Sequence, residues 1–203
     1  MWFCSDRWPT AAIGQGLTSY SNGRWQSYGL GDGLPSEHLH DYYRDSKGHQ
    51  YAVTKSGIAQ RFGDRWVPFD IPGFPPGGTP FDLSEAPNGE LLASIRISPG
   101  NMSVFMTNEG RWQDLGNSAV RSLVTRSGRI LSTEIDLERL RMRVRCFKDS
   151  HWTAVSAWTK INYAFVSNLV EAPDGAIWGV GNGIFSGGKP MITNGPNLPT
   201  CHR

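Results

Sequence analysis

The sequence predicts an all-β fold built from a repeated four-stranded unit, and three observations predict it. The first is a turn that recurs: "DSKG", "APNG", "TRSG" and "APDG" end at Gly48, Gly89, Gly128 and Gly175, spaced by 41, 39 and 47 residues. The second is a tryptophan after a small polar turn, at Trp25, Trp66, Trp112 and Trp152, spaced by 41, 46 and 40. The two markers interleave in constant order, so they report one period. The third is composition. Aromatics make up 11% of 203 residues, with 24 glycines and 13 prolines, a chain rich in strand formers and in turns.

Within each period lie four short β-like runs, too short for helices and bounded by Gly, Asn, Asp and Pro. The first unit begins at "MWF", which matches the second strand of a later unit, and continues through "GQGLTSYSNGRWQSY". The second reads "HLHDYYR", "HQYAVT", "IAQRF" and "WVPFD"; the third "FDLSEA", "ELLASI", "SVFMT" and "WQDL". The fourth reads "VRSLVT", "RILSTEI", "RVRCFK" and "WTAVS", and the fifth "SNLVEA", "AIWGV", "GIFSG" and "PMIT". The stretch "DLERLRMRV" has some helical character, but its register makes it the connection of a long hairpin. Four antiparallel strands in about 40 to 45 residues is the pattern of a β-propeller blade. The blade boundaries read 1–36 (partial), 37–77, 78–117, 118–163 and 164–203, one domain over 1–203. The expectation is about five blades, forming either a closed five-blade ring or a fragment of a larger propeller. The marker tryptophans are then expected to be buried in the wedges between blades.

The segment "GLGDGLPSEHLHDYYRDSKGHQYAVTKSGIAQRFGDRWVPF" resembles the two-component regulator propeller repeat, and "EAPDGAIWGVGNGIF" looks like the same repeat. Blades three and four match weakly, because "LLASI" and "ILSTE" lack the strand tryptophan. The resemblance implies the sensor region of a bacterial histidine kinase, lying in the periplasm or outside the cell and binding a carbohydrate or similar solute. It also implies a signalling module or dimer partner, neither of which this chain carries. The motifs are scaffold motifs; they identify blades rather than a reaction.

Functional groups must converge from different blades, and in a propeller the lead-ins to the inner strands and the second-to-third strand connections ring one mouth of the channel. Those segments hold Asp6, Arg7, Trp8, Asp32, Glu37, His38, His40, Asp82, Arg96, Trp158, Lys160, Asn162 and Tyr163. His38, His40, Asp82, Arg96, Trp158, Lys160, Asn162 and Tyr163 are the candidate ligand-binding set. His38 and His40, two apart on a strand, are expected on one face. Trp158 and Tyr163 have the amphipathic rings that suit sugar stacking. Asp41 with Asp82, and Glu85 with Glu171, hold equivalent positions: carboxylates satisfying strand ends, or the start of a cation-binding ring. Arg141, Arg143 and Arg145 share a face of "RMRVR", read as a solvated edge face, with an anion grip as the other possibility.

Several function classes receive no support. A net charge of +2 gives no electrostatic case for nucleic acid. Three widely spaced cysteines, Cys4, Cys146 and Cys201, form neither a zinc pattern nor a disulfide framework. No apolar run approaches a membrane span, and the first residues do not read as a signal peptide. No GxSxG, HExxH or phosphate loop occurs, so no catalytic residue, metal or cofactor is expected. The reading is a non-catalytic ligand-sensing or binding propeller. The alternatives are a propeller enzyme acting on carbohydrate, as hydrolase or lyase, and a protein-interaction platform.

Overall fold

The computed structural model describes residues 2–4, 16–116, 119–136, 138–156, 159–160 and 165–182. Helix is confined, among these, to the 3-10 turn Leu30–Asp32. The chain divides into two compact parts, Met1–Asn101 with Phe105–Gln113, and Met102–Val104 with Asp114–Arg203.

In the first part, β1 (Trp2–Cys4), β2 (Leu17–Ser21) and β3 (Arg24–Tyr28) form a three-stranded antiparallel sheet, blade 1. Blade 2 is a four-stranded meander of β4 (Leu39–Arg44), β5 (Gln50–Thr54), β6 (Gly57–Phe62) and β7 (Arg65–Pro68). Blade 3 has β8 (Thr79–Pro80) and β9 (Ser84–Glu85) side by side along β10 (Leu91–Ser98), followed by β11 (Asn101–Asn108) and β12 (Arg111–Asp114). In the second part, blade 4 comprises β13 (Ala119–Val124), β14 (Ile130–Asp136), β15 (Arg141–Lys148) and β16 (His151–Ala154), with β17 (Thr159–Lys160) also on β15. Blade 5 is described for β18 (Phe165–Glu171) and β19 (Ile177–Asn182). Among the described residues of "DLERLRMRV", Asp136 ends β14, 138–140 form a turn and 141–144 begin β15, which is a hairpin.

The repeated glycines explain the regular hairpins. Gly48, Gly89, Gly128 and Gly175 all have φ between 80° and 89°, a region that side chains with a Cβ rarely enter. In each turn the glycine N–H closes on the carbonyl three residues back, as from Gly48 to Asp45 at 3.1 Å and from Gly89 to Ala86 at 2.8 Å.

The period-2 alternation of one strand feeds two cores. In "YAVT" every residue of Tyr51–Thr54 is buried, as expected of a strand covered on both faces. Ala52 joins Leu17, Tyr28, Leu34, Leu39 and Trp66 on one side. Tyr51 and Val53 join Leu91, Ala93, Ile95, Phe105 and Trp112 on the other. Blades 1 and 2 thus share one core, and blades 2 and 3 share the next. In the second part, Leu131, Met142, Val144 and Cys146 of blade 4 pack with Leu169 and Ile177 of blade 5.

The tryptophans need a correction. Trp66 and Trp112 are 2% and 4% exposed, but Trp25 is 63% exposed and Trp152 is half-buried. All four lie on the outer strand, in matching registers such as Tyr20↔Trp25 and Arg61↔Trp66. The difference is what reaches them. Trp66 receives the lead-in loop of its own blade: an atom at the Cβ position of Gly33 would lie 1.9 Å from the Trp66 carbonyl oxygen. Leu34 enters the same core. Trp112 receives Pro72, whose carbonyl accepts its N–H at 2.8 Å, and Phe74, whose ring meets the indole edge-on at 6.2 Å. Trp152 donates its indole N–H to the Leu115 carbonyl at 2.7 Å. For Trp25 no such loop lies among the described residues.

Candidate binding site

Inner strands carry an irregularity at one repeated place. In β4 the pairing slips between Leu39 and Asp41, in β13 between Ala119 and Ser122, and in β18 between Val166 and Asn168. In blade 3 the inner strand is interrupted there instead, between β8 and β9. The expected continuous strand "FDLSEA" is therefore broken, because Asp82 takes over the ladder's role. Its carboxylate accepts the Ser94 backbone N–H at 2.6 Å and the Ser94 hydroxyl at 3.0 Å. Bulges re-aim side chains and are common beside functional sites.

His40 is the extra residue of the β4 bulge, and Phe81 stands at the matching place in blade 3. Their rings stack in parallel, 4.7 Å between centroids with planes 2° apart. His40 Nδ1 lies 2.7 Å from the Pro80 carbonyl oxygen, so that nitrogen carries the proton and donates it. Arg96, on β10 opposite Thr79, places its guanidinium carbon 5.2 Å from the centre of the Phe81 ring. The fold thus brings His40 and Arg96 together around a phenylalanine that the sequence reading did not select. Its signal was available: Phe81 lies eight residues before its turn glycine, as His40 does.

The other candidates fall differently. His38 is exposed and precedes β4, and its carbonyl accepts the Lys55 N–H at 2.8 Å. The bulge breaks the alternation that would have put His38 and His40 on one strand face, so only His40 joins the stack. Trp158, Asn162 and Tyr163 lie outside the described residues, as do Asp6, Arg7 and Trp8. Lys160 lies in β17, with its backbone paired to Arg141.

The acids serve the scaffold. Asp41 accepts the Tyr42 N–H at 2.8 Å and the Leu83 N–H at 3.4 Å. Glu85 accepts the Ser46 N–H at 2.7 Å and its hydroxyl at 2.8 Å. Glu171 accepts the Arg126 N–H at 2.7 Å. Both glutamates therefore cap the hairpin turn of the blade before them rather than ring a cation. Among the described residues no three His, Cys, Asp or Glu side chains converge as a metal site.

The arginine strip is not an edge, and its charges are paired. Its strand, β15, lies between β14 and β16. Arg141 meets Asp136 at 2.8 Å, and Arg143 and Arg145 meet Glu134 at 2.5 and 3.7 Å. Two acids on β14 thus face three arginines across the strand pair, which accounts for side chains only about a quarter to a third exposed.

No family model matches the sequence, and no curated protein matches it. Solved structures do. The extracellular domain of BT4673 from B. thetaiotaomicron, described both as a one component system and as a hybrid two component system, aligns with a TM-score of 0.63 at 13% identity, over 82% of this chain and 24% of that one. The extracellular domain of BT3049, described as a hybrid two component system of the same organism, gives 0.60 at 14%, over 82% and 23%. A protein described as a gluconolactonase gives 0.58 at 16%, over 81% and 63%. The chain spans about a quarter of the length of the two B. thetaiotaomicron domains. At these identities the likeness is one of fold, and that fold is an all-β array of antiparallel β-propeller blades.

Proposed function

We propose that this chain is a non-catalytic binding segment of a sensing β-propeller, with its ligand held at the His40–Phe81–Arg96 cluster. The observation that carries the reading is a division of labour. Asp41, Asp82, Glu85 and Glu171 spend their carboxylates on backbone and hydroxyl donors of the scaffold. The cluster offers flat rings and a guanidinium, groups that bind and orient. General acid–base chemistry needs a carboxylate or imidazole within reach of substrate, and each of these four carboxylates already accepts from the scaffold. The likeness to extracellular domains of one and two component systems supports a place outside the cytoplasm. It also supports coupling of ligand binding to a signalling module, by favouring one of two packings. The ligand is a small carbohydrate or similar solute.

A second reading, hydrolysis of a sugar lactone, is favoured by the likeness to the protein described as a gluconolactonase. One experiment separates the two. The chain is incubated with a saccharide panel and with gluconolactone while retention and product are both measured. Binding without product, weakened by His40→Ala, is expected. Lactone opening above the spontaneous rate and lost in His40→Ala would replace the binding reading with the enzymatic one.

A further inference from the structure

We infer that Arg96 is the anchor for a carboxylate, so that the solute taken at this cluster is an acidic one. The inference rests on the binding reading above and names the ligand's chemistry. Arg96 is half-buried, and its guanidinium is held against the Phe81 ring. No hydrogen bond or ion pair joins it to another described residue. Arg61, Arg141 and Arg143, also half-buried, differ. Arg61 reaches the Tyr28 hydroxyl at 3.0 Å and Gln50 at 3.3 Å. Arg141 and Arg143 are matched with carboxylates on the neighbouring strand.

Asp82, one residue beyond Phe81, gives both oxygens to Ser94. Asp41, one beyond His40, gives its oxygens to Tyr42 and Leu83. Neither forms an ion pair with Arg96, so the guanidinium keeps its donors for a ligand. A guanidinium fixed by ring stacking presents its N–H donors as a planar fork, which matches the two oxygens of a carboxylate. A neutral sugar would satisfy that fork with single hydroxyls and leave the charge unmatched. Hydrogen bonds to charged groups are worth about 1.5–3 kcal/mol, which corresponds to roughly a 10- to 150-fold preference.

Equilibrium titration of the full chain with galacturonate, glucuronate, galactose, glucose and galactose 6-phosphate tests this, with chemical shifts of the Arg96 side chain as the local readout. The expected result is that a uronate binds at least about tenfold tighter than its neutral parent. The Arg96 Nε–H should shift, and Arg96→Gln should reduce the preference to under about threefold at unchanged melting temperature. Arg96→Lys, which keeps the charge and loses the fork, should recover only part of it. Equal binding of galactose and galacturonate, unchanged in Arg96→Gln, would overturn the carboxylate assignment and leave the binding reading standing. Preference for the phosphate ester over both uronates would overturn it in favour of phosphate. Binding of no saccharide in the set would overturn the binding reading together with the inference.

Discussion

Trp66 and Trp25 stand at the same position of their blades, each after a two-residue turn and in the same register, yet one is 2% exposed and the other 63%. Their own strands do not account for the difference. Trp66 is enclosed by the Gly33–Leu34 loop and meets the Tyr28 ring of blade 1 edge-on at 6.1 Å. Trp25 lies against Tyr20 of its own hairpin, 4.9 Å between centroids. A blade supplies the tryptophan, and what precedes the blade supplies the burial. The binding cluster follows the same rule, since His40 comes from blade 2 while Phe81 and Arg96 come from blade 3.

The largest effect should separate these two tryptophans. Trp66→Ala or Trp112→Ala should cost about 3–5 kcal/mol in denaturant titration through the cavity left behind. Trp25→Ala should cost less than about 1 kcal/mol. Equal losses would break the comparison.

A glycine pair should sharpen it. Gly33 and Gly23 both have positive φ, at 95° and 76°, but a Cβ at Gly33 would collide with the Trp66 carbonyl while one at Gly23 meets nothing within 4 Å. Both Ala variants carry backbone strain of about 1–3 kcal/mol. Only Gly33→Ala should add the displacement of the loop from Trp66, seen as faster hydrogen exchange at residues 29–35.

The turn caps give a smaller effect. Ser46 and Arg126 donate N–H groups to Glu85 and Glu171 of the following blade. Glu85→Ala should cost about 1 kcal/mol in denaturant titration, and Glu85→Gln, which keeps an acceptor, should cost less.

Acid titration probes the turn itself. Burial pushes the Asp45 carboxyl up, but hydrogen bonds from the His49 side chain and backbone outweigh it and leave its pKa below the usual carboxylate range. A depressed pKa contributes stability that is present above about pH 4 and lost as the pH falls through the folded value. Asp45→Asn should remove this part of the acid dependence, read as a smaller loss of stability on acidification below about pH 4. At the alkaline end, burial and then the Asp45 charge push Tyr51 up to about 12. Its contribution therefore persists until the pH exceeds about 10.

The strands and turns were legible because they depend on local chemistry: glycines that must take positive φ, and runs such as "YAVT" between them. What neighbours contribute was less legible. The exposure of Trp25 could not be read from "GRW", which is identical at Trp112. His38 and His40 looked equivalent under strict alternation, and a bulge placed only His40 in the cluster. In the sequence Arg96 reads as polar content of a connection, and the ring against it, Phe81, reads as ordinary core. The bonds by which Asp82 replaces a missing stretch of ladder have no signal in the sequence.

The claim that adjacent blades complete one another is tested most directly by a double-mutant cycle between Tyr28 and Trp66, using Tyr28→Leu and Trp66→Leu. Their edge-to-face contact predicts a coupling of about 0.5–1.5 kcal/mol in unfolding free energy. Losses that add to within about 0.3 kcal/mol would contradict the claim, because the contact between blades 1 and 2 would then carry no energy of its own.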